Sequence, residues 1–111
     1  MRVATLKSAR EFRRVHSGGK ASADGLFVLK AVTRPDSGAT LIGVTVSRKV
    51  GKAVTRNRIR RRVLEIWRDL YTRGLVSPGF EIVFIARPAA EAGFAEIRRS
   101  VMKLLVRRGI I

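Results

Sequence analysis

The most chemically distinctive part of this sequence is a run of positive charge at residues 48–62, which contains no acidic residue. Like charges this close repel one another, and the interleaved glutamates that usually offset them on a solvated helix face are missing. Arginine outnumbers lysine in the run, and its planar guanidinium suits bidentate phosphate contacts and stacking on bases. The run therefore predicts polyanion binding, with a solvated helix face as the simpler alternative.

Helical periodicity continues the run to about residue 72, with Thr55 as the predicted N-cap and Gly74 just past the end. One stripe is apolar and is expected to pack on a sheet: Ile59, Val63, Ile66 and Leu70. The opposite arc is basic: Arg58, Arg61, Arg62 and Arg68. One flank is predicted to line a cleft: Arg56, Asn57, Arg60 and Leu64, followed by Trp67 and Tyr71. The amide of Asn57 suits a base edge or a ribose hydroxyl, or helps to cap the helix.

The composition describes a folded, strongly basic protein. The 111 residues carry 24 Lys+Arg against 8 Asp+Glu, a formal charge of +16, yet 46% are hydrophobic. The length predicts one domain over residues 1–111, and the charge favours nucleic acid over a membrane surface as partner. The absence of cysteine excludes disulfides, thiolate zinc sites and cysteine nucleophiles, and the single histidine, His16, cannot build a metal site by itself. Without a secretory signal or a membrane-length apolar run, the protein is expected to be cytoplasmic.

The charge is segregated from the segments that resemble strands. Residues 48–73 hold ten basic and two acidic residues, whereas residues 21–47 and 74–97 are close to neutral. The predicted elements are a helix at 5–16 capped by Thr5 or Ser8, strands at 25–34 and 40–47 paired as a hairpin, the basic helix, a strand at 80–86 and a helix at 90–108. Residue patterns alone thus predict an α+β domain of order α-β-β-α-β-α.

Residues 46–61 read Val-Ser-Arg-Lys-Val-Gly-Lys-Ala-Val-Thr-Arg-Asn-Arg-Ile-Arg-Arg. This segment resembles the signature of the bacterial ribonuclease P protein subunit, whose hallmark is the triplet Arg56-Asn57-Arg58. The resemblance extends over nearly the whole chain, through Leu6–Gly18 with its Glu11-Phe12 pair, Phe27–Leu29, Ile85–Pro88 and the closing amphipathic helix.

The resemblance implies an accessory protein of a ribozyme, whose RNA subunit cuts the 5′ leader from precursor tRNA with its own Mg²⁺ ions. The protein would then hold no catalytic residue and no cofactor, act as a monomer and bind no membrane. The implied fold is an α-β-β-β-α-β-α sandwich with a left-handed βαβ crossover, as in the second domain of a small-subunit ribosomal protein. A short extra strand near Lys20–Asp24 would reconcile this order with the residue patterns.

The resemblance also implies two RNA-binding surfaces. The residues expected to bind the catalytic RNA are Arg48, Lys49, Lys52, Arg56, Asn57, Arg58, Arg61, Arg62 and Arg68. Those expected to line a cleft for the precursor tRNA leader are Phe12, His16, Val28, Lys30, Arg56, Asn57, Arg60 and Leu64. His16 and Lys30 stand where the family commonly has aromatic residues, and Leu64 where it often has a basic one. Leader binding is therefore expected to rely on charge at Lys30 and on Phe12 as the main ring.

Two other function classes compete with this interpretation. A generic RNA-binding protein of ribosomal type is the first alternative, although the aromatic signature of an RRM and the GxxG loop of a KH domain are absent. An enzyme acting without RNA is the second. The sequence offers no paired carboxylates and no nucleophile beside a base, and Val46 occupies the position of the first glycine of a Walker loop.

Overall fold

Two helices cover one face of a four-stranded sheet, and a third helix crosses the other face. The computed structural model describes residues 5–111. The elements in chain order are α1 (Ala9–Gly18), β1 (Lys20–Ala23), β2 (Phe27–Thr33), β3 (Leu41–Thr45), α2 (Ala53–Thr72), β4 (Phe80–Ala86) and α3 (Phe94–Arg108), with short 3-10 helices at Arg48–Val50 and Pro88–Ala90. The order α-β-β-β-α-β-α implied by the resemblance is confirmed, including the short strand at Lys20–Ala23.

The strand order across the sheet is β1-β2-β4-β3. Strand β2 runs antiparallel to both β1 and β4, whereas β3 runs parallel to β4. The predicted hairpin between residues 25–34 and 40–47 is therefore wrong, because β4 lies between β2 and β3. Strand β4 is buried on both faces, as the apolar run 80–86 favours, and it takes a central place for that reason. The left-handedness of the β3–α2–β4 crossover stays a prediction.

The larger core lies between the sheet and helices α2 and α3. Alternation along β2 directs Phe27, Leu29 and Ala31 to this side. The predicted apolar stripe of α2 is confirmed, since all four of its side chains are buried: Ile59, Val63, Ile66 and Leu70. Trp67, which the helical projection places on the cleft flank, is also completely buried in this core. Each such side chain contributes about 1.5–3 kcal/mol to folding.

A smaller core fixes α1 to the opposite face. Val15 of α1 is completely buried and packs with Leu6 and Val83. Ser8 is the N-cap, because its hydroxyl accepts a hydrogen bond of 3.1 Å from the Glu11 N–H. The helix therefore begins at Ala9 rather than at residue 5.

Two other predicted helix starts are also wrong, because a 3-10 helix precedes each. Helix α2 begins at Ala53, ahead of the predicted cap Thr55, directly after a turn anchored by the buried Val50. Helix α3 begins at Phe94 rather than near residue 90, since Ala90 is buried at the end of the second 3-10 helix. Neither helix has a side-chain hydrogen bond at its N-cap.

The carboxylate of Asp24 ties the β1–β2 turn to α3. Its Oδ1 accepts hydrogen bonds of 2.9 Å from the N–H groups of Leu26 and Phe27, and its Oδ2 accepts one of 2.6 Å from the Ser100 hydroxyl. The Lys103 ammonium lies 3.3 Å from the same Oδ2. Burial opposes the ionisation of this carboxyl, but these donors outweigh it and lower the pKa of Asp24 below its ordinary value.

Candidate RNA-binding surfaces

Helix α1 covers only part of its face of the sheet. The register places Lys30 of β2, Val83 of β4 and Gly43 of β3 in one row across the sheet. Helix α1 follows this row: Phe12 lies against Gly43, and the Lys30 ammonium donates a hydrogen bond of 3.0 Å to the His16 carbonyl. The helix thus forms a wall across the sheet, and side chains beside it remain accessible.

The neighbouring row of side chains on this face is half-exposed. It consists of Val28 of β2, Ile85 of β4 and Thr45 of β3, which the register aligns. Of these three, only Val28 is among the predicted site residues. The alternation of β4 was a usable signal for Ile85, which lies two residues from Val83 and shares its face. Thr45 joins them only because β3 pairs with β4, which the sequence did not predict.

Phe12 is held by direct contact with the backbone of β3. A Cβ atom on Gly43 would lie 2.5 Å from Cε1 and 2.6 Å from Cζ of the Phe12 ring, so only glycine leaves room for the ring there. The side chain is half-buried and packs with the small core beneath α1. The ring therefore has one side on the protein and the remainder open to the edge of the sheet.

A cleft of about 260 Å³ opens at the outer edge of β3, between α1 and α2. Phe12 lines it from α1, and Arg60 and Leu64 line it from the flank of α2. The rest of the lining comes from Thr5 and Leu6, which precede α1, and from residues 42–44 of β3. We call this the β3-edge cleft. It brings together three of the residues predicted to contact the leader.

The cleft continues onto the outer surface of α2. A shallow groove of about 370 Å³ shares Arg60 and Leu64 with the β3-edge cleft, and its other lining residues are Asn57, Arg61, Glu65 and Arg68. The Arg60 guanidinium donates a hydrogen bond of 3.0 Å to the side-chain amide oxygen Oδ1 of Asn57. Asn57 therefore holds Arg60, which lines both the groove and the cleft, and the amide nitrogen of Asn57 has no hydrogen-bond partner within residues 5–111.

Three other predicted leader residues lie on the far side of this surface. His16 lies in the last turn of α1 above β2, and Val28 and Lys30 belong to β2 itself. Strand β4 separates β2 from β3, so these residues lie about 10 Å from the β3 edge, two strand spacings away. They extend the accessible surface across the sheet but do not line the β3-edge cleft.

Five of the predicted catalytic-RNA residues project from the start and outer face of α2. They are exposed, and within residues 5–111 their side chains make no hydrogen bond or ion pair: Arg48, Lys49, Lys52, Arg61 and Arg68. Although Glu65 shares the groove with Arg61 and Arg68, these five cations outnumber it, and they form a cationic surface that is open to an anionic partner.

Two of the remaining arginines of the motif are engaged with the protein, and a third is half-buried. The Arg62 guanidinium donates a hydrogen bond of 2.8 Å to the Ala92 carbonyl, and that of Arg58 lies 3.9 Å from the Glu91 carboxylate. Both contacts join α2 to the segment that precedes α3. Arg56 is half-buried, and its Nε–H has no hydrogen-bond partner in the described part of the chain. The basic arc of α2 is thus divided between structural and accessible arginines.

Within residues 5–111, no three His, Cys, Asp or Glu side chains are grouped so that they could hold a metal ion. No helix of this part of the chain is long and apolar enough to cross a membrane.

Comparison with known proteins decides the family. The sequence model of the family described as Ribonuclease P matches residues 1–109. The chain belongs to the ribonuclease P protein family. A Ribonuclease P protein component from Clostridioides difficile is 39% identical over 110 residues, which cover 98% of this chain and 95% of the relative. Another, from Geobacillus thermodenitrificans, is 39% identical over 94% of this chain and 85% of its own length.

The fold agrees with that family. A solved structure of the RNase P protein from Thermotoga maritima superposes with a TM-score of 0.81 and 30% identity, covering 93% of this chain and 96% of that one. The chain is accordingly a protein subunit of ribonuclease P, an endoribonuclease of tRNA processing whose chemistry is carried by its RNA subunit. Nothing in the comparisons favours a generic ribosomal-type RNA-binding protein.

Proposed function

We propose that the β3-edge cleft and the half-exposed row beside α1 bind the single-stranded 5′ leader of precursor tRNA. The observation that supports this most strongly is the meeting of Phe12 and Arg60, from two distant segments, in one cleft at the edge of the sheet. An aromatic ring offers a stacking surface for a base, and a guanidinium offers charge for a phosphate. The combination suits an unpaired strand, whose bases are free to leave the stack.

The leader would run from the β3-edge cleft across the sheet toward β2. Val28 and Ile85 supply an apolar floor, and Lys30 and His16 stand at the far end. The Lys30 ammonium donates a hydrogen bond to the His16 carbonyl, and this bond restricts its position. Leader binding across this surface would therefore combine one ring, an apolar floor and two separate cationic positions.

The catalytic RNA would occupy the outer face of α2 and the turn before it. The accessible cations there are arginine and lysine side chains without acidic partners, namely Arg48, Lys49, Lys52, Arg61 and Arg68. Arg62 contributes mainly by fixing α2 against the segment before α3, whereas the half-exposed guanidinium of Arg58 remains available to the RNA beside its weak pair with Glu91. Mg²⁺ ions held by the RNA subunit would supply the hydrolytic chemistry, while this chain binds and orients the two RNAs. We propose that the protein works as a cytoplasmic monomer in this complex.

The leader site is tested by comparing precursor and mature tRNA. The holoenzyme is reconstituted with wild-type or Arg60→Ala protein, and the Kd of each tRNA is measured at fixed salt. The wild type is expected to prefer the precursor, and Arg60→Ala to reduce that preference roughly tenfold or more, since a hydrogen bond to a charged group contributes about 1.5–3 kcal/mol.

Arg73→Ala is the matched control, because Arg73 is exposed at the end of the same helix and pairs only with Asp69. It should leave the preference for precursor tRNA unchanged. Equal affinity of the wild-type holoenzyme for precursor and mature tRNA would overturn the proposal of a leader site.

A further inference from the structure

Three cations form a row along α3 that the proposed leader and α2 surfaces do not include. Arg99, Lys103 and Arg107 recur at every fourth position and are exposed. Residues at this spacing are neighbours on one helix face, with Cβ atoms about 5–6 Å apart. We call them the α3 row. Over eight residues the row spans about 12 Å along the helix axis.

The α3 row lies against the β1–β2 turn. The Lys103 ammonium is 3.3 Å from the Asp24 carboxylate, and the Arg107 guanidinium donates to the Ala23 carbonyl at 3.5 Å. From the other side of the turn, the Arg87 guanidinium donates a hydrogen bond of 3.1 Å to the Asp24 carbonyl. These contacts hold Lys103 and Arg107 beside the turn, and Arg99 continues the row one helical turn further along α3.

The surface around the row remains basic after its carboxylates are counted. It holds four cations, the α3 row with Arg87, against two carboxylates, Asp24 and Glu96. Asp24 is largely buried, with 9% of its side chain exposed, and is already satisfied by four donors. The adjoining strand β1 has only small side chains after Lys20, so an elongated partner can approach its backbone closely.

This surface lies on the opposite side of the molecule from the β3-edge cleft. The strand order places β1 and β3 at the two edges of the sheet, three strand spacings or about 14 Å apart. Helix α3 packs over β1 and β2, whereas α2 packs over β3. An RNA segment bound at the outer face of α2 therefore cannot place the same phosphates on the α3 row.

We propose that the α3 row binds the phosphate backbone of a second segment of the catalytic RNA. A line of cations about one helical turn apart matches the repeated charge of a nucleic-acid strand. Val106 is the only large apolar side chain exposed on the described part of this helix face, so the surface lacks the apolar content of a membrane-binding helix. The protein would then join two parts of the RNA subunit from surfaces near opposite edges of its sheet. This inference rests on the proposed function.

The test uses the full-length double variant Arg99→Gln/Arg107→Gln, with Lys103 left intact because it pairs with Asp24. The Kd for the catalytic RNA is measured between about 50 and 200 mM salt. Loss of two phosphate contacts should reduce the slope of log K against log salt by about 1.4–1.8. The wild type should therefore lose about tenfold more affinity than the variant across this range. The preference for precursor over mature tRNA should not change.

The conservative variant Arg99→Lys/Arg107→Lys should keep the wild-type slope, since it retains both charges. Circular dichroism and urea midpoints verify that both variants are folded. Arg61→Gln is run in parallel: if it weakens RNA binding while the glutamine double variant has the wild-type slope and Kd, the α3 inference is wrong and the proposed function stands. If Arg61→Gln is also without effect, the proposed α2 surface fails as well. A double variant that binds the RNA normally but no longer binds polyglutamate would assign the α3 row to an acidic protein instead.

Discussion

Replacing Gly43 with alanine should displace Phe12, because the ring and the backbone of β3 are in direct contact. The new Cβ would lie 2.5 Å from Cε1 and 2.6 Å from Cζ of the ring, whereas ordinary contacts begin at 3.4 Å. The ring must therefore retreat by about 1 Å. Leu6 closes the other side, with its Cδ1 atom 3.1 Å from the same Cβ position, so the small core beneath α1 has little room to adjust.

Overpacking of this kind costs about 1–3 kcal/mol in the free energy of unfolding. The loss of glycine's backbone freedom in the unfolded chain offsets about 0.4–1 kcal/mol of it. For a domain of this size, the net loss corresponds to a fall in Tm of up to about 15 °C. Because the displaced ring can no longer line the β3-edge cleft, the preference of the holoenzyme for precursor tRNA should fall as well.

The assay is a double-mutant cycle in urea, with Gly43→Ala measured in the wild-type and Phe12→Leu backgrounds. The smaller leucine should remove most of the penalty of Gly43→Ala, since the ring atoms nearest the new Cβ are absent. Gly25→Ala is the matched control, because a Cβ there meets no atom within 4 Å. Its stability change should stay within about 0.5 kcal/mol.

The reasoning is refuted if Gly43→Ala costs the same free energy in both backgrounds, because the penalty would then not arise from the ring. It is also refuted if Gly43→Ala destabilises no more than Gly25→Ala. A normal preference for precursor tRNA in a destabilised Gly43→Ala protein would show that the position of the ring does not govern leader binding.

Two further predictions concern the Asp24 carboxylate and the divided arginines of α2. Because the fold lowers the pKa of Asp24, the contribution of its carboxylate to the free energy of unfolding is complete above the unfolded pKa and is lost as the pH falls through the folded value. Asp24→Asn should therefore cost about 1–3 kcal/mol at pH 7 in urea titrations and progressively less in acid. A cost that does not change with pH would contradict this linkage. Arg62→Ala should lower the free energy of unfolding by about 1 kcal/mol through loss of its bond to the Ala92 carbonyl, whereas Arg61→Ala should weaken catalytic-RNA binding at unchanged stability. Identical effects of the two alanine variants in both assays would remove the distinction.

The division among the arginines bears on how a basic motif is interpreted. In sequence, Arg58, Arg61 and Arg62 are alike and fall on the same arc of the helix. In the structure, Arg62 bonds to the Ala92 carbonyl and Arg58 faces Glu91, whereas Arg61 has no partner in the described residues. Helical periodicity predicts the direction in which a side chain leaves its helix. It does not predict which residue that side chain meets, because the neighbour belongs to a distant part of the chain.

Local patterns determined a large part of this protein. The charge of residues 48–62, the apolar stripe of α2 and the apolar run of β4 each follow from composition and spacing along the chain, and all three are present as predicted. The family was also accessible from the sequence, because its signature lies in one continuous segment. Helix starts were less accurate, since the 3-10 turns that delay or advance them depend on which small residues are buried beneath.

Only the tertiary structure decided which elements are neighbours. The two predicted strands at 25–34 and 40–47 are as compatible with a hairpin as with the observed order, in which β4 lies between β2 and β3. This insertion depends on long-range burial of the apolar side chains of β4. That insertion aligns Thr45 with Ile85, and the packing of α1 and α2 at the β3 edge brings Phe12 to Arg60. The sequence by itself therefore determined that this is a basic, RNA-binding domain of a known family. The pairing of distant strands decided where its binding surfaces lie, because such pairing is governed by burial across the whole fold and not by neighbouring residues.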